Sequence, residues 1–532
     1  MNRRIAFVAT VILTIPAVLP AVPQSQVPAP ITELRIDPLL VSTVSEYRNV
    51  MRTLGPLLFP GWQANSVPML LYRPKVQELL IGAPRIPKGF SRFAGRPLLG
   101  DEAVYVRNDS TVMDLDDQNT SIELDSMQVL VVADQFSRLR SQLRDMFGRP
   151  AAMRDKWLEE WGFIPSPFTD LQMMVHEAFH VHQRRMAPTK SADESTVAAY
   201  LVLDPVNNAF TALEGMILRD ALLAPDDKTK REKAAEFISV RLTRRAKLDS
   251  TAITYEDLNE FSEGLGRYVE MRFLQLADRV TPTPEMYLHA GFTGYRGAAI
   301  KEFRRQADDM VKIASNTDDR FGNKYGTGPL RFRLYYLGAA QGLLLDDLAP
   351  DWKRRIFARG VFLTGLLNEA LALSPERRQA HLEQAKLHYG YDKILVDKEA
   401  FAADGQRLIR ARVDSITGTR QTLVTIQYGA VGDKMGMGYT PFGVTAINTE
   451  SAIYDLVPIA IRFANKVLLE MKSVVPVILD KRSKAVTFAV ATPPAGFITT
   501  ADGGLDLGEF RLSGSPGTTV TVAGNRVIVV LK

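Results

Sequence analysis

Cysteine is absent from this chain of 532 residues. Without cysteine the protein cannot be held together by disulfide bonds, cannot bind a metal through thiolates and cannot carry a lipid on an N-terminal cysteine. Its stability must therefore come from a large hydrophobic core, which the chain length and an apolar content of 46% readily allow.

No strong excess of either charge is present, because 65 basic residues face 60 acidic residues and leave a formal net charge of +5. This balance does not indicate a nucleic-acid partner, which usually meets a concentrated basic surface. The charge-dense stretch 226–245 mixes both signs, which is typical of a solvated helix face, and a docking surface is the less favoured alternative. Histidine is also scarce, with 6 residues in the chain. Two histidines at a functional spacing are therefore informative.

Long hydrophobic runs are missing except near the N-terminus. There, two arginines precede an apolar run from Ile5 to Leu19 that proline interrupts. The pattern predicts a secretory signal peptide over residues 1–22, with an uncleaved N-terminal anchor as the alternative, and no membrane span after cleavage. We therefore expect an exported protein, periplasmic or secreted. The absence of cysteine favours a bacterial source over a eukaryotic extracellular one.

The order of patterns along the chain predicts an α+β protein with three regions after the leader. Residues 31–150 mix a helical start with strand-like segments, residues 151–400 are almost wholly helical in pattern, and residues 401–532 contain short β-like runs separated by turns. We expect an N-terminal α/β subdomain, a helical core and a C-terminal β-rich domain, with a boundary near residue 400. The expected strands lie at 67–71, 103–107, 127–132, 421–428, 474–479, 484–491 and 517–531.

The most informative motif is His-Glu-Ala-Phe-His at residues 176–180, an HExxH pattern in a helical stretch. Two histidines four residues apart lie on one face of a helix, so their imidazoles can bind one zinc ion while Glu177 deprotonates a bound water. Ser166 and Pro167 supply an N-cap and a first helical residue, which predicts a helix from about residue 167 to Arg185. The alternative is an ordinary amphipathic helix with two histidines that bind no metal.

A catalytic zinc site usually has three protein ligands and one open position, so a third ligand is expected downstream. Glu263 stands out in the segment 261–270, Phe-Ser-Glu-Gly-Leu-Gly-Arg-Tyr-Val-Glu, where the small Gly266 allows two helices to approach closely. The rival is Glu214, which also begins a helical pattern and is followed by glycine. If it is not a ligand, Glu214 could accept a histidine N–H, or it could be a plain surface carboxylate.

Together, the segments HEAFH and SEGLGRYVE resemble the gluzincin group of zinc metallopeptidases, whose third ligand is a glutamate on a second helix. The second segment is particularly similar to the Asn-Glu-Gly-Phe-Ala-x-Tyr sequence of aminopeptidase-N-type enzymes. The resemblance implies a zincin-like, mainly helical catalytic core and favours Glu263 over Glu214. It implies that His176, His180 and Glu263 are the three zinc ligands. It also implies that Glu177 is the general base. The separation between the histidines and the glutamate is longer than in aminopeptidase N, and no Gly-x-Met-Glu-Asn exopeptidase sequence is present.

Four other side chains bear on the predicted site. His182 should point away from the metal, because it lies two residues beyond His180 on the helix. His289 and the pair Tyr335 and Tyr336 could donate a hydrogen bond to an oxyanion, although ordinary packing is the favoured role of each.

The sequence therefore predicts an exported, zinc-dependent metallopeptidase that acts on peptide or protein substrates. One alternative is a zinc hydrolase of a non-peptide bond, because the metal site alone does not select the bond. The other is an inactive zincin scaffold used for binding. The presence of Glu177 argues against this second alternative, since zinc binding alone needs no general base. The sequence does not predict the oligomeric state.

Overall fold

The computed structural model describes residues 30–100, 102–109, 120–133, 167–200, 202–289, 291–318, 323–431, 435–438, 443–455, 460–463, 467–472, 475–500, 503–513 and 517–532. The predicted signal peptide and the expected N-cap Ser166 lie outside these residues. Within them the chain is a mixed α+β protein, with N-terminal strands, central helices and C-terminal sheets, as the sequence predicted.

The N-terminal region combines one helix with a six-stranded sheet. Helix α1, Pro38–Leu58, begins at Asp37, whose side chain accepts a hydrogen bond from the Leu39 N–H and so caps the first turn. The strands are Met69–Arg73 (β1), Gln77–Ile81 (β2), Ser91–Arg92 (β3), Val104–Arg107 (β4), Thr120–Leu124 (β5) and Met127–Ala133 (β6). Their order is β3-β4-β2-β1-β6-β5, with β1 and β6 parallel. The three strands predicted in this region are present as β1, β4 and β6.

The central region is helical and surrounds the HExxH segment. Its helices are Pro167–Met186 (α2), Pro205–Leu222 (α3), Asp227–Arg245 (α4), Ser250–Asn259 (α5), Leu265–Leu276 (α6), Ala298–Ala314 (α7), Thr327–Leu348 (α8), Trp352–Arg355 (α9), Leu363–Leu371 (α10), Pro375–Tyr389 (α11) and Tyr391–Thr417 (α12). A π-helical turn, Glu260–Gly264, joins α5 to α6. Apolar side chains of α1, of one face of the sheet and of most of these helices share one large core.

The change from helices to strands comes later than residue 400. Helix α12 continues to Thr417, and the first C-terminal strand begins at Thr422. Ala402, Ile409 and Ile416 are buried on α12 at intervals of seven residues, which is a helical spacing that buries one face. This repeat explains why the helix continues past the point where the composition changes.

The C-terminal strands form two sheets around a second apolar core. They are Thr422–Gln427 (β7), Met435–Gly438 (β8), Val444–Ala446 (β9), Ser451–Tyr454 (β10), Ala460–Phe463 (β11), Leu468–Met471 (β12), Val477–Asp480 (β13), Ala485–Val490 (β14), Leu505–Asp506 (β15), Phe510–Leu512 (β16), Thr519–Ala523 (β17) and Arg526–Val530 (β18). The seven-stranded sheet has the order β17-β18-β7-β14-β13-β10-β9, and the five-stranded sheet has the order β15-β16-β12-β11-β8. In the part of the chain that is described, no helix is both long enough and apolar enough to cross a membrane.

Candidate metal centre

Helix α2 turns its two histidines toward one cavity. Its buried apolar side chains, which include Leu171, Val175 and Phe179, fix the rotation of the helix against the core. The rings of His176 and His180 are then neighbours, with centroids 4.7 Å apart. Both rings line a cavity of about 960 Å³, together with Glu177.

The carboxylate that meets the two histidines is that of Glu263. Its Oε2 atom lies 3.3 Å from His176 Nε2 and 3.6 Å from His180 Nε2. Among the described residues, this is the one group of three His, Asp or Glu side chains whose donor atoms could hold a metal ion, all within 4.8 Å of one another. The structure therefore brings together the three residues that the sequence predicted as ligands.

Glu263 lies in the π-helical turn Glu260–Gly264, which the sequence analysis did not predict. Single π turns inside α-helices are rare and often occur at functional sites. Here the turn crosses α8 at very short range, since a Cβ atom built on Gly264 would lie 2.9 Å from the Cα atom of Gly338. Gly264 and Gly338 are thus in contact through their backbones. Both glycines are visible in the sequence, but only the fold shows that they are neighbours.

Gly266 makes room for the ring of His176. A Cβ atom at this position would lie 2.7 Å from both Cε1 and Nε2 of His176, so the imidazole lies directly against the backbone of α6. The small size of Gly266 predicts a close approach of two helices. The two helices do approach closely, and the ring of His176 therefore lies in contact with α6.

Each imidazole has a buried partner at its other nitrogen. His176 Nδ1 lies 2.5 Å from Glu270 Oε1, and His180 Nδ1 lies 2.8 Å from Gln183 Oε1. A carboxylate oxygen can only accept, so Nδ1 of His176 carries the proton. Such partners fix the orientation of a metal-binding imidazole and leave Nε2 for the metal. Neither Glu270 nor Gln183 was predicted from the sequence to belong to the site. The only sequence signal for them is their spacing. Glu270 follows Glu263 by seven residues, and Gln183 follows His180 by three.

The electrostatics of the cluster favour a cation. Burial disfavours a charged His176, but hydrogen bonds to Glu263 and Glu270 outweigh it and raise the pKa of this imidazole to about 10. Burial likewise acts to raise the pKa of Glu263, but His180, His176 and Arg331 hold it well below its usual range. The donor set of two imidazoles and one carboxylate, with a further carboxylate behind, therefore fits a divalent cation such as zinc.

Glu177 lies beside the cluster with one side open to the cavity. Burial raises the pKa of its carboxyl group, Glu263 acts in the same direction, and the neighbouring His180 and His176 lower it. A raised pKa makes a carboxylate a better proton acceptor near neutral pH. Glu177 is not one of the three described side chains whose donor atoms could hold a metal ion together.

The second oxygen of Glu263 is held by an arginine. Arg331 Nη2 donates to Glu263 Oε1 at 3.1 Å, while its Nε donates to Glu194 Oε1 at 3.0 Å. One turn further along α8, the ring of Tyr335 stacks on that of His176, with centroids 6.3 Å apart and an angle of 28° between the planes. Glu263 is thus oriented with one oxygen toward the histidines and one toward α8.

Of the three candidates for an oxyanion donor, two line the cavity. Tyr335 and Tyr336 both line the cavity, and the Tyr336 hydroxyl accepts a hydrogen bond from Arg267 Nη2 at 2.9 Å. His289 lies elsewhere, with its Nε2 atom 2.9 Å from the Ser42 hydroxyl on α1. The Tyr335 hydroxyl hydrogen-bonds with Glu263. The Tyr336 hydroxyl keeps its own proton to donate, because it only accepts from Arg267.

None of the roles considered for Glu214 is correct. The residue is fully buried on α3, where its carboxylate accepts a hydrogen bond from Arg244 Nε at 2.7 Å and pairs with Arg241 Nη2 at 2.9 Å. Two guanidinium groups neutralise the carboxylate in a buried ion cluster. Glu214 is therefore neither a neighbour of the histidines nor a surface residue.

His182 points away from the cluster, as predicted. Its ring packs among aromatic side chains in the core: Phe59, Phe179 and Phe357. Burial lowers its pKa to about 4, with a smaller contribution from Arg185.

Comparison with known proteins shows no match to any protein-family model, to any curated protein or to any solved structure.

Proposed function

We propose that the protein is a zinc-dependent metallopeptidase of the gluzincin type, with His176, His180 and Glu263 as metal ligands. The observation that supports this most directly is the position of Glu263 Oε2, 3.3 Å from one Nε2 atom and 3.6 Å from the other. Two imidazoles and one carboxylate are a typical ligand set of catalytic zinc, whereas structural zinc is usually bound by four residues that include cysteine.

The side chains around the cluster support a hydrolytic mechanism. Zinc, when bound, would supply a Lewis acid for the substrate carbonyl group and lower the pKa of a water molecule. Glu177 accepts the proton of the attacking water and returns it to the leaving amine. Tyr335 lines the same cavity and hydrogen-bonds with Glu263, and we propose that its hydroxyl turns to donate to the developing oxyanion. Glu270, Gln183 and Arg331 keep the ligands in place.

The cavity supports a substrate of peptide size. Its volume of about 960 Å³ is at the upper end of the range for ligand pockets, and its lining mixes charged, amide and aromatic side chains. Such a lining can pair with the many N–H and C=O groups of a peptide. We propose a peptide or protein substrate on this basis, and export through the predicted signal peptide belongs to the same proposal.

The test combines metal analysis with hydrolysis. Purified protein is analysed for zinc and incubated with a peptide library and a panel of esters, before and after treatment with a chelator and after addition of zinc. Peptide cleavage that the chelator stops and zinc restores is the expected result. Cleavage of esters alone would identify a zinc hydrolase of another bond, and zinc binding without any hydrolysis would identify a binding scaffold. Protein that binds no zinc would overturn the proposal.

A further inference from the structure

We infer that Gln183 is a positioning residue that couples the π turn to the histidine ligands. Its single amide group holds His180 and the backbone that carries Glu263, so that two of the three ligands move together. This inference rests on the zinc site proposed above.

The contacts of Gln183 reach both parts of the site. Its Oε1 atom lies 2.8 Å from His180 Nδ1. Its Nε2 atom donates to the carbonyl oxygen of Phe261 at 2.6 Å and to that of Ser262 at 3.1 Å. The side chain is 4% exposed, so water does not compete for these hydrogen bonds. The amide therefore lies between one ligand and the turn that bears another.

The π turn needs such a partner. A π turn departs from the regular pairing of each carbonyl oxygen with an N–H four residues later, and it is uncommon without further support. Gln183 supplies donors to two of the five residues in the turn, and Glu263 is the residue that follows them. If the turn rewinds to a regular α-helix, the direction of the Glu263 side chain changes. The donors of Gln183 oppose that change.

A simpler role would be that Gln183 only orients the ring of His180. The substitution Gln183→Glu separates the two roles. A carboxylate still accepts the Nδ1–H of His180, and its added negative charge near the metal should strengthen zinc binding. The same carboxylate cannot donate to Phe261 and Ser262, and it repels their carbonyl oxygens. The two roles therefore predict opposite effects on zinc affinity.

Gln172 provides a matched control. It lies one turn before His176 on the same helix, is 5% exposed and lines the same cavity. Its Oε1 atom accepts a hydrogen bond from Gln306 on α7, and not from the π turn. Gln172→Glu therefore adds the same charge on the same helix without disturbing the backbone that carries Glu263.

The experiment measures the zinc dissociation constant by competition with a chromophoric chelator at neutral pH. The variants are Gln183→Glu, Gln183→Met and Gln172→Glu, each alone and combined with Glu263→Ala, with thermal unfolding of the zinc-free proteins as a check of folding. We expect Gln183→Glu and Gln183→Met to weaken zinc binding by roughly 10- to 100-fold, the range known for residues that support a ligand. Gln172→Glu should cause no loss.

The Glu263→Ala background decides between the two roles. If Gln183 acts through the π turn, Gln183→Glu should cause no further loss once Glu263 is gone, because the carboxylate that the turn positions is missing. An equal fold-change in both backgrounds, or tighter zinc binding by Gln183→Glu alone, would overturn the inference. A wild-type protein that binds no zinc would instead overturn the proposed function, so the two failures are distinguishable.

Discussion

Glu263 and Glu270 contact opposite nitrogens of the same imidazole, that of His176. Glu263 Oε2 lies 3.3 Å from Nε2, and Glu270 Oε1 lies 2.5 Å from Nδ1. The two carboxylates are seven residues apart, one on the π turn and one on α6, which continues it. One stretch of chain therefore contacts both nitrogens of the ring. The geometry of one histidine is thus set by a second helix rather than by its own.

Glu270→Gln should weaken zinc binding by roughly 10- to 100-fold and leave the protein folded. The amide is close in shape to the carboxylate, but it is a weaker acceptor for the Nδ1–H and provides no negative charge behind the ring. The zinc dissociation constant and thermal unfolding measure the two effects. Glu285→Gln, at an exposed position, is the control. Unchanged zinc affinity in Glu270→Gln would show that Glu270 does not support His176.

Glu260→Gln should lower both stability and zinc affinity, because Glu260 begins the π turn. Its carboxylate accepts hydrogen bonds from Arg241 Nη1 at 2.6 Å and from Gln341 Nε2 at 2.9 Å. The control is Glu256→Gln, one turn earlier, where a carboxylate of equal burial pairs with Arg244. Both substitutions leave buried guanidinium groups less well neutralised and should lower the unfolding temperature. Only Glu260→Gln should also weaken zinc binding. An equal loss of zinc affinity in both variants would contradict the link between Glu260 and the site.

Acid should destabilise the protein partly through Glu256. Burial acts to raise the pKa of this carboxyl group, but Arg244 and Arg245 hold it far below the value of 4.5 that it has in an unfolded chain. The unfolded state therefore binds the proton more readily, so the stability contributed by Glu256 is complete above pH 4.5 and is lost as the pH falls below it. Denaturant unfolding of zinc-free protein between pH 6 and pH 3 should show a steeper decline for the wild type than for Glu256→Gln. Parallel curves would contradict this assignment.

Gly266→Ala should displace the ring of His176 and weaken zinc binding by at least about tenfold. The new methyl group would lie 2.7 Å from the ring atoms Cε1 and Nε2, and the imidazole cannot move without losing its place between the two carboxylates. Gly365→Ala is the matched control, because Gly365 is also helical and a Cβ atom there meets nothing within 4 Å. In the control, alanine should stabilise the helix by up to about 1 kcal/mol without changing the zinc affinity. Equal zinc affinities in the two variants would contradict the role given to Gly266.

Much of the fold could be predicted because it follows from local patterns. The HExxH segment is helical over Pro167–Met186 within the described residues, as proline and apolar spacing indicated. The described parts of the strands predicted in the first and last regions are also present. Helix α12 continues to Thr417, beyond the change in composition near residue 400. The reason is that its buried residues repeat at a helical spacing up to Ile416. Local periodicity was therefore a better guide than composition.

The candidate site was predictable only as far as residue types allow. His176, His180 and Glu263 stood out as a set of metal-ligating side chains, whereas Glu270 and Gln183 did not, because their roles depend on how two helices cross. The π turn was also invisible in the sequence, since its hydrogen-bond pattern depends on contacts with α2 and α8. Glu214 was considered because glycine follows it, and only the fold shows the two arginines that neutralise it.

The most direct test of the central claim uses the variant Glu177→Gln. Two quantities are measured on it: the zinc content per chain and the rate of peptide hydrolysis. The substitution removes the base but no ligand, so zinc should remain bound as in the wild type. Turnover should fall by a factor of about 10² to 10⁴, the usual contribution of a general base. Peptide hydrolysis at a near-normal rate in Glu177→Gln would contradict the mechanism, and loss of zinc from this variant would show that Glu177 is a ligand instead.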